Sequence, residues 1–372
     1  MAGHKTIIYD TSLSAIEKTA SERLKLFDRL AEKGKLTKEE AKQIEGRISS
    51  CSTLEELKNC SVIIEAIVEN LDIKKKLFAS LDAIVSAECI LATNTSSLSV
   101  TSIAGSCQKP SRVIGIHFFN PPGLMPLVEI VPGLQTSADI VQSSKSLISS
   151  WGKTAVIAKD TPGFIVNRIA RPFYGEAIRI YEEGLPGISE GTQGMATIDW
   201  AMRELGGFRM GPFELMDLIG NDVNYAVTEA VWTQCFYNPK YVPSITQKRL
   251  FEAGRFGKKT GQGYYDYADG SKIPEPMKDV KTGEKIFMRI LCMLINEAVD
   301  ALYYRIASRD DIDLAMTKGV NYPKGLLEWC DQVGPHQVLN QLNDLRNTYA
   351  EERYRPSVLL QRMANAREKF YV

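Results

Sequence analysis

Polar residues interrupt apolar, strand-like runs at four places in the first half of the chain. These places are the segments 93–97, 117–120 and 162–168, together with Glu129. His117 ends one predicted strand and Glu129 lies in the next, where it can pair with the imidazole. Such a carboxylate fixes the tautomer of the ring and stabilises the imidazolium, which suits a general base working near neutral pH. Buried histidines also pair with carboxylates for purely structural reasons, so the spacing alone leaves both interpretations open.

The elements around these residues predict a mostly parallel sheet. Short β-branched runs alternate with helix-like stretches over residues 1–160, as in βαβ units. The predicted strands are 6–9, 61–67, 89–92, 112–117, 127–131 and 154–158, and the predicted helices are 14–33, 37–47, 71–85 and 137–151. Thr37 and Glu40 form a capping-box pattern. Because ligands of an open parallel sheet lie beyond the carboxyl ends of its strands, we expect the polar segments at one edge.

The sequence pattern becomes helical after residue 160. A turn-forming sequence, Thr161-Pro162-Gly163, interrupts the chain there, and amphipathic helical patterns follow it. Residues 267–278 concentrate Gly, Pro and charge, as linkers do. We therefore expect a sheet domain over residues 1–160 and two helical domains over residues 161–268 and 279–372.

The two helical regions repeat each other. Asp199 and Gly211 recur 114 residues later as Asp313 and Gly325, each within matching Ile-Asp-x-Ala-Met and Gly-x-x-Glu patterns. This spacing predicts a duplicated all-helical domain. The repeated glycines and apolar residues serve helix turns and packing, so the repeat alone indicates no chemistry.

Composition and charge exclude several classes of protein. The 372 residues include 45 Lys and Arg against 45 Asp and Glu, without the basic surplus of a nucleic-acid-binding protein. No apolar run approaches the ~20 residues of a membrane span, and the first residues do not form a secretory signal. Seven scattered cysteines without a CxxC pair argue against a zinc site and a disulfide framework. We expect a cytoplasmic protein with no metal, no nucleic acid and no membrane partner; of three histidines, His4 and His336 are interpreted as surface residues.

Six motifs along the chain resemble sequences of the 3-hydroxyacyl-CoA dehydrogenase family. In order along the chain they are SVIIEAIVENLDIKKKLF, TNTSSL, GIHFFNPP, LVEI, KDTPGFIVNR and FGKKTGQGYYDY. The resemblance covers nearly the whole chain and is greatest to bacterial members with two tandem helical domains. It implies a Rossmann-type α/β domain and NAD-dependent interconversion of (S)-3-hydroxyacyl-CoA and 3-ketoacyl-CoA.

The resemblance also implies roles for single residues. His117 would be the general base, and Glu129 would orient it. Ser96 and Asn167 match positions that bind the oxygens of the acyl-CoA substrate and stabilise developing charge. Lys33 matches a CoA-contacting lysine. The positions implied for NAD are Asp10, Glu69, Lys74, Ser96, Asn120 and Lys259.

Simpler alternatives exist for five of these residues. Asp10 could simply start a turn, although a carboxylate there would favour NAD over NADP. Lys74 lies in a run of three lysines, as on a solvated helix face, and Lys259 stands in a Gly-flanked turn where exposure is the default. Ser96 could serve a tight turn, and Asn167 could cap a helix.

The second helical domain is expected to be structural. In the alignment of the two repeats, Asn167 and Arg168 correspond to Met288 and Arg289, so the second repeat lacks the asparagine. The resemblance implies dimers in which this helical domain packs against a partner's copy. We therefore expect either a homodimer or an internal pseudo-dimer of the two repeats.

The chain departs from the family at its start. No Gly-x-Gly-x-x-Gly loop follows a strand, although this loop holds the cofactor's pyrophosphate. The strand before it is central in this fold, so its loss should leave unpaired strand edges and compromise the sheet. Three explanations compete: a true start about 25 residues upstream, a split or degraded gene, and a catalytically silent relative acting as a scaffold. Intact active-site residues favour the first. A further alternative substrate is a hydroxy acid without CoA. Lys33 argues against this alternative, because it matches a CoA-contacting lysine. Leu26 does not argue against it, because it stands where the family has a CoA-contacting serine.

Overall fold

The computed structural model describes residues 2–185 and 187–371, and in these ranges seven strands form two sheets. The strands are β1 (Thr6–Tyr9), β2 (Ile48–Cys51), β3 (Val62–Glu65), β4 (Ile90–Thr93), β5 (Val113–Phe118), β6 (Leu127–Pro132) and β7 (Thr154–Ile157). Strands β3 to β7 lie in chain order in one sheet, in which β5 and β6 are antiparallel and the other neighbours are parallel. The predicted, mostly parallel sheet is confirmed.

Strands β1 and β2 form a separate parallel pair. Strand β1 is not hydrogen-bonded to β3, so each of them keeps one unpaired edge, as the sequence led us to expect. Strand β2, with the sequence Ile-Ser-Ser-Cys, was not among the predicted strands. Its two exposed serines give it no apolar run that would distinguish it from a loop.

Sixteen α-helices surround these sheets in the described ranges. They are α1 (Leu13–Glu32), α2 (Lys38–Glu45), α3 (Leu71–Ile84), α4 (Val100–Ala104), α5 (Ala138–Ser150), α6 (Val166–Ile169), α7 (Arg171–Glu183), α8 (Thr192–Trp200), α9 (Pro212–Ile219), α10 (Asn221–Gln234), α11 (Ile245–Glu252), α12 (Val280–Tyr303), α13 (Arg309–Gly319), α14 (Leu326–Val333), α15 (Pro335–Tyr349) and α16 (Val358–Ala366). Thr37 and Glu40 form the predicted capping box before α2. None of these helices combines the length and the apolar character that crossing a membrane requires.

Helices cover both faces of the larger sheet. On one face, Leu91 of β4 packs with Phe78 of α3 and Ile103 of α4. On the other face, Ile90 of β4 packs with Ile148 of α5. Successive residues of a strand point to opposite faces, so β4 is buried along its whole length between these helices.

Buried aspartates repeat in the helical half of the chain. Asp199 accepts the backbone N–H groups of Phe213 and Glu214 at 2.9 and 3.1 Å, at the start of α9. Asp313 accepts the equivalent groups at the start of α14 at 2.9 and 3.0 Å. A Cβ at Gly211 would lie 2.3 Å from Asp199, and the same holds at Gly325 beside Asp313, so only glycine fits at either place.

The end of the chain repeats a further contact. Asp217 accepts the backbone N–H groups of Tyr264 and Tyr265 at 3.0 and 2.9 Å. Asp331, which is 114 residues later, accepts those of Phe370 and Tyr371 at 2.8 and 2.7 Å. Residues 370–371 therefore make the same backbone contacts with the second repeat that residues 264–265 make with the first.

Ion pairs join the two repeats reciprocally. Arg168 donates to Glu297 at 2.8 Å, and Arg289 donates to Glu176 at 2.6 Å. The hydroxyl of Tyr354 also donates to Glu176, at 2.6 Å. Both glutamates are about 2% exposed. Each repeat therefore supplies the arginine that neutralises the buried carboxylate of the other.

Candidate active site

His117 and Glu129 face each other across the antiparallel pair of β5 and β6. They are direct partners in the strand register, and Nδ1 of the imidazole lies 2.7 Å from Oε2 of the carboxylate. His117 is 6% exposed and Glu129 is fully buried. The histidine therefore has the carboxylate partner that the sequence placed in the next strand.

The second oxygen of Glu129 is also occupied. Oε1 accepts the backbone N–H groups of Ile165 and Val166, each at 3.0 Å. Two backbone donors and the ring of His117 therefore surround one buried carboxylate. An ionised carboxylate can only accept, so Nδ1 of His117 must donate to it, which leaves Nε2 with a free lone pair. In this tautomer Nε2 can take a proton.

A strained turn aims these backbone groups at Glu129. Gly163 has φ 76° and Phe164 has φ 45°, a left-handed conformation that is rare for a bulky side chain. The Phe164 ring lies 5.8 Å from the His117 ring, and Phe119 flanks it at 4.6 Å. Neither aromatic residue could be predicted as part of the site, because the local sequence indicates only a turn, at Pro162 and Gly163.

Asn167 follows directly in α6 and is half-buried. Its backbone oxygen accepts from Arg171 at 2.7 Å. The residue that caps α6 is Ile165, so the helix-capping alternative for Asn167 is wrong. Asn167 is the next residue after Val166, whose backbone N–H binds Glu129.

Glu69 and Ser96 form a second cluster at the carboxyl ends of β3 and β4. Oε1 of Glu69 accepts from the Thr95 hydroxyl at 2.5 Å and from the backbone N–H groups of Ser96 and Ser97 at 3.1 and 3.2 Å. Burial raises the pKa of Glu69, but these hydrogen bonds and the charge of Lys74 outweigh it, so the pKa lies below its usual value. The carboxylate is therefore a permanent acceptor at neutral pH.

Lys74 is buried, with 1% of its side chain exposed. Its ammonium group lies 2.6 Å from Glu65 and 3.3 Å from Glu69. The solvated-face alternative for Lys74 is therefore wrong. Of three consecutive lysines, the helical period turns this one toward the strand ends.

A cleft of about 320 Å³ separates this cluster from α10. Glu69, Ser96 and Ser97 line one wall, and residues from Asp222 to Ala230 line the other. Asp222 holds Lys259 in an ion pair of 2.6 Å. The fold thus brings Glu69, Ser96 and, through Asp222, Lys259 to one opening.

The remaining predicted residues lie outside this lining. Asn120 is exposed beyond the end of β5, and Lys33 is exposed at the end of α1, as Leu26 is within it. Asp10 follows β1 in the separate sheet and accepts the backbone N–H of Ser12 at 2.8 Å, which is the turn-starting contact. Among the residues that the structure describes, none makes such a contact with the second carboxylate oxygen.

The other histidines stand apart from these clusters. His4 and His336 are exposed, as predicted, and His4 accepts a hydrogen bond from Trp151. The described ranges hold no group of three or more His, Cys, Asp or Glu side chains that could bind a metal ion. His117 is therefore the imidazole best placed for proton transfer.

Family models match both halves of the chain. The model described as "3-hydroxyacyl-CoA dehydrogenase, NAD binding domain" matches residues 1–161, and "3-hydroxyacyl-CoA dehydrogenase, C-terminal domain" matches residues 163–267 and 286–369. The second match therefore extends over both helical repeats.

Individual proteins agree with these matches. The chain is 35% identical to 3-hydroxyadipyl-CoA dehydrogenase of Escherichia coli over 97% of this chain and 93% of that protein. It is 39% identical to 3-hydroxybutyryl-CoA dehydrogenase of Clostridioides difficile over 71% of this chain and 92% of that one. The crystal structure of 3-hydroxybutyryl-CoA dehydrogenase from Escherichia coli superposes with a TM-score of 0.89, covering 98% of this chain and 94% of that one at 35% identity.

Proposed function

We propose, because this chain belongs to the 3-hydroxyacyl-CoA dehydrogenase family, that it interconverts (S)-3-hydroxyacyl-CoA and 3-ketoacyl-CoA with NAD as its redox cofactor. The observation that carries the proposal is the geometry at His117, whose Nδ1 is held by Glu129 while Nε2 has no hydrogen-bond partner in the described ranges. This is the arrangement that a general base for a hydroxyl proton needs.

In the proposed reaction, Nε2 of His117 removes the proton of the substrate hydroxyl group. NAD⁺, when bound, accepts the hydride that leaves the same carbon. Glu129 remains ionised and stabilises the imidazolium that forms, and the imidazolium returns the proton in the reverse direction. Ser96 and Asn167 would donate to the substrate oxygens, where negative charge develops.

Several residues would hold the cofactor and the CoA group. Beside the cleft lie the hydrogen-bonding groups of Glu69, Lys74 and Ser96. On the opposite wall, Asp222 forms an ion pair with Lys259. Asn120 is open to solvent past β5. Asp10 would bind ribose hydroxyls and repel a 2′-phosphate, and Lys33 would contact CoA. These assignments rest on the family resemblance and, except for the buried Lys74, on the accessibility of the side chains.

We further propose that the two helical repeats form an internal pseudo-dimer within one chain. The reciprocal pairs of Arg168 with Glu297 and Arg289 with Glu176 support it, because each repeat covers the buried carboxylate of the other. Sedimentation equilibrium should then give the mass of a single chain. A stable dimer joined through these helical faces would overturn this part of the proposal.

Seven free cysteines support a reducing cytoplasmic setting.

The activity is tested by NADH oxidation with acetoacetyl-CoA, with acetoacetate as the CoA-free comparison. We expect turnover of the thioester that His117→Ala abolishes while the circular dichroism spectrum is unchanged. A second protein, extended before Ala2 by a strand and a Gly-x-Gly-x-x-Gly loop, tests whether that loop limits cofactor binding. Inactivity of both proteins would favour the scaffold alternative, and turnover of acetoacetate alone would favour a CoA-free substrate.

A further inference from the structure

We propose that helix α13 of the second repeat positions the His117–Glu129 pair, through a close contact at Gly319. Only the kinetic consequence of this inference rests on the proposed function. The contact itself concerns the carboxylate and the imidazole, whatever reaction they serve. Gly319 would then be a positioning residue, acting through the strand that carries Glu129.

Helix α13 packs against β6, β7 and α6. A Cβ atom at Gly319 would lie 2.6 Å from Cδ2 of Leu127 and 3.1 Å from Cγ2 of Val166. Both side chains are buried in the main core, so neither can move far without displacing its neighbours. The helix can therefore approach the sheet this closely only because residue 319 has no side chain.

Each contacted residue is linked to Glu129, Leu127 through the strand they share and Val166 through a hydrogen bond. Leu127 precedes it by two positions in β6, and so points to the same face of the strand. Val166 donates its backbone N–H to Oε1 of Glu129 at 3.0 Å. A displacement of either residue would be passed to the carboxylate that fixes the His117 tautomer.

The backbone conformation does not require glycine at this position, because Gly319 is not among the residues with positive φ. Glycine also weakens a helix relative to alanine. The equivalent position in the first repeat, 114 residues earlier, is Leu205, so the repeated architecture tolerates a large side chain there. The contact with β6 is therefore the feature of this site that demands glycine.

Helix α13 cannot easily retreat from the sheet. The backbone N–H of Lys159, just after β7, donates to the carbonyl of Ile306 at 2.7 Å. The backbone N–H of Ile157 lies 3.4 Å from Oδ2 of Asp311, in the first turn of the helix. These bonds hold the start of α13 at the end of β7, so the helix cannot move away as a whole, and a methyl group added at Gly319, the last residue of the helix, either pushes on Leu127 or Val166 or tilts this end of α13 away from the sheet.

The test exploits the small number of histidines in the full chain, which has three. In protein labelled with ¹⁵N-histidine, long-range proton–nitrogen spectra at alkaline pH report which ring nitrogen is protonated, and His117→Gln assigns the His117 signals. The test variant is Gly319→Ala. The matched control is Gly283→Ala in α12, whose added Cβ would lie 2.7 Å from Leu205 and thus disturbs a contact between the repeats instead.

We expect wild-type His117 to show protonation at Nδ1 alone, and Gly319→Ala to shift its signals toward a mixture of both tautomers. Gly283→Ala should leave them unchanged. The kcat for acetoacetyl-CoA should fall roughly 10- to 100-fold in Gly319→Ala, as for a misplaced base. Altered spectra without turnover in any form would refute the proposed function and leave the positioning role intact.

Unchanged His117 signals in a folded Gly319→Ala protein would overturn the inference, as would an equal change in Gly283→Ala. If Gly319→Ala does not fold, Leu127→Ala probes the same contact by removing atoms instead of adding one. It should also mix the tautomers, and spectra identical to those of the wild type would again refute the positioning role. Combining the two substitutions should restore the wild-type signals in part, since the smaller side chain makes room for the methyl group.

Discussion

Exchanging Glu129 for glutamine preserves the size of the side chain and removes one of its two acceptor oxygens. The amide oxygen can accept from the backbone N–H groups of Ile165 and Val166, and the NH₂ group then faces His117. Alternatively the oxygen turns to His117, and the NH₂ group then faces two N–H donors that lie 3.0 Å from that position. Buried donors without partners cost about 1–3 kcal/mol each, so the first orientation is favoured.

In that orientation the NH₂ group donates to Nδ1 of His117 and forces the proton onto Nε2. Nε2 then has no lone pair for the substrate proton. The same exchange in the Ser-His-Asp triad traps the wrong tautomer and lowers turnover about 10⁴-fold. We expect kcat of Glu129→Gln to fall by about 10³- to 10⁴-fold, or roughly 4–5.5 kcal/mol in the barrier. Folding stability should change little, because every backbone donor keeps its acceptor.

The assay is oxidation of 3-hydroxybutyryl-CoA followed as NADH formation, in whichever form of the protein turns over acetoacetyl-CoA. Thermal unfolding of the same samples separates loss of activity from loss of fold. A kcat within tenfold of the wild-type value, in a protein with an unchanged midpoint, would refute the tautomer reasoning. A large loss of stability would instead show that the amide oxygen turns toward His117.

Three further outcomes follow from the contacts. Arg289→Met should lower the free energy of unfolding in urea by about 3 kcal/mol, because it removes the arginine 2.6 Å from the buried Glu176 carboxylate and leaves only Arg353, at 3.8 Å; a loss below about 1 kcal/mol would contradict this. Tyr371→Phe should cost about 1 kcal/mol in the same titration, since its hydroxyl donates to Asp313 at 3.0 Å. The pKa of Glu69 is lowered in the folded state, so its ionised carboxylate stabilises the fold at pH values above its ordinary pKa of 4.5, and this stabilisation is lost as the pH falls below that value. In urea titrations at a series of pH values, the free energy of unfolding of Glu69→Gln should therefore fall less on acidification than that of the wild type.

The parallel sheet could be predicted because its strands are apolar runs between helices with recognisable caps. Strands β4 and β5 are buried on both faces and read as continuous hydrophobic sequence. The His117–Glu129 pair was also predictable, since the spacing places one residue at the end of a strand and the other in its neighbour. Local sequence was informative wherever the structure is set by neighbours along the chain.

Other features depend on partners that are distant in sequence. Lys74 looks like its two neighbours in the chain, and its burial follows from Glu65, which lies on a different element. Strand β2 owes its existence to pairing with β1, since its own residues favour no strand. The contact at Gly319 is invisible in the repeat alignment, because it concerns the sheet and not the other repeat.

The exchange of arginines between the repeats has a consequence for the order of folding during synthesis. Glu176 meets Arg289 and Tyr354, which leave the ribosome 113 and 178 residues later. At about 5–20 residues per second, the first repeat waits roughly 9–36 s for the hydroxyl of Tyr354. Arg289 emerges roughly 6–23 s after Glu176 at the same rate, and until then the buried carboxylate lacks the arginine that lies 2.6 Å from it, so the helices of the first repeat cannot reach their final packing alone. Helical proteins usually fold quickly through local contacts, but the core of this one is completed by contacts between residues that are far apart in sequence.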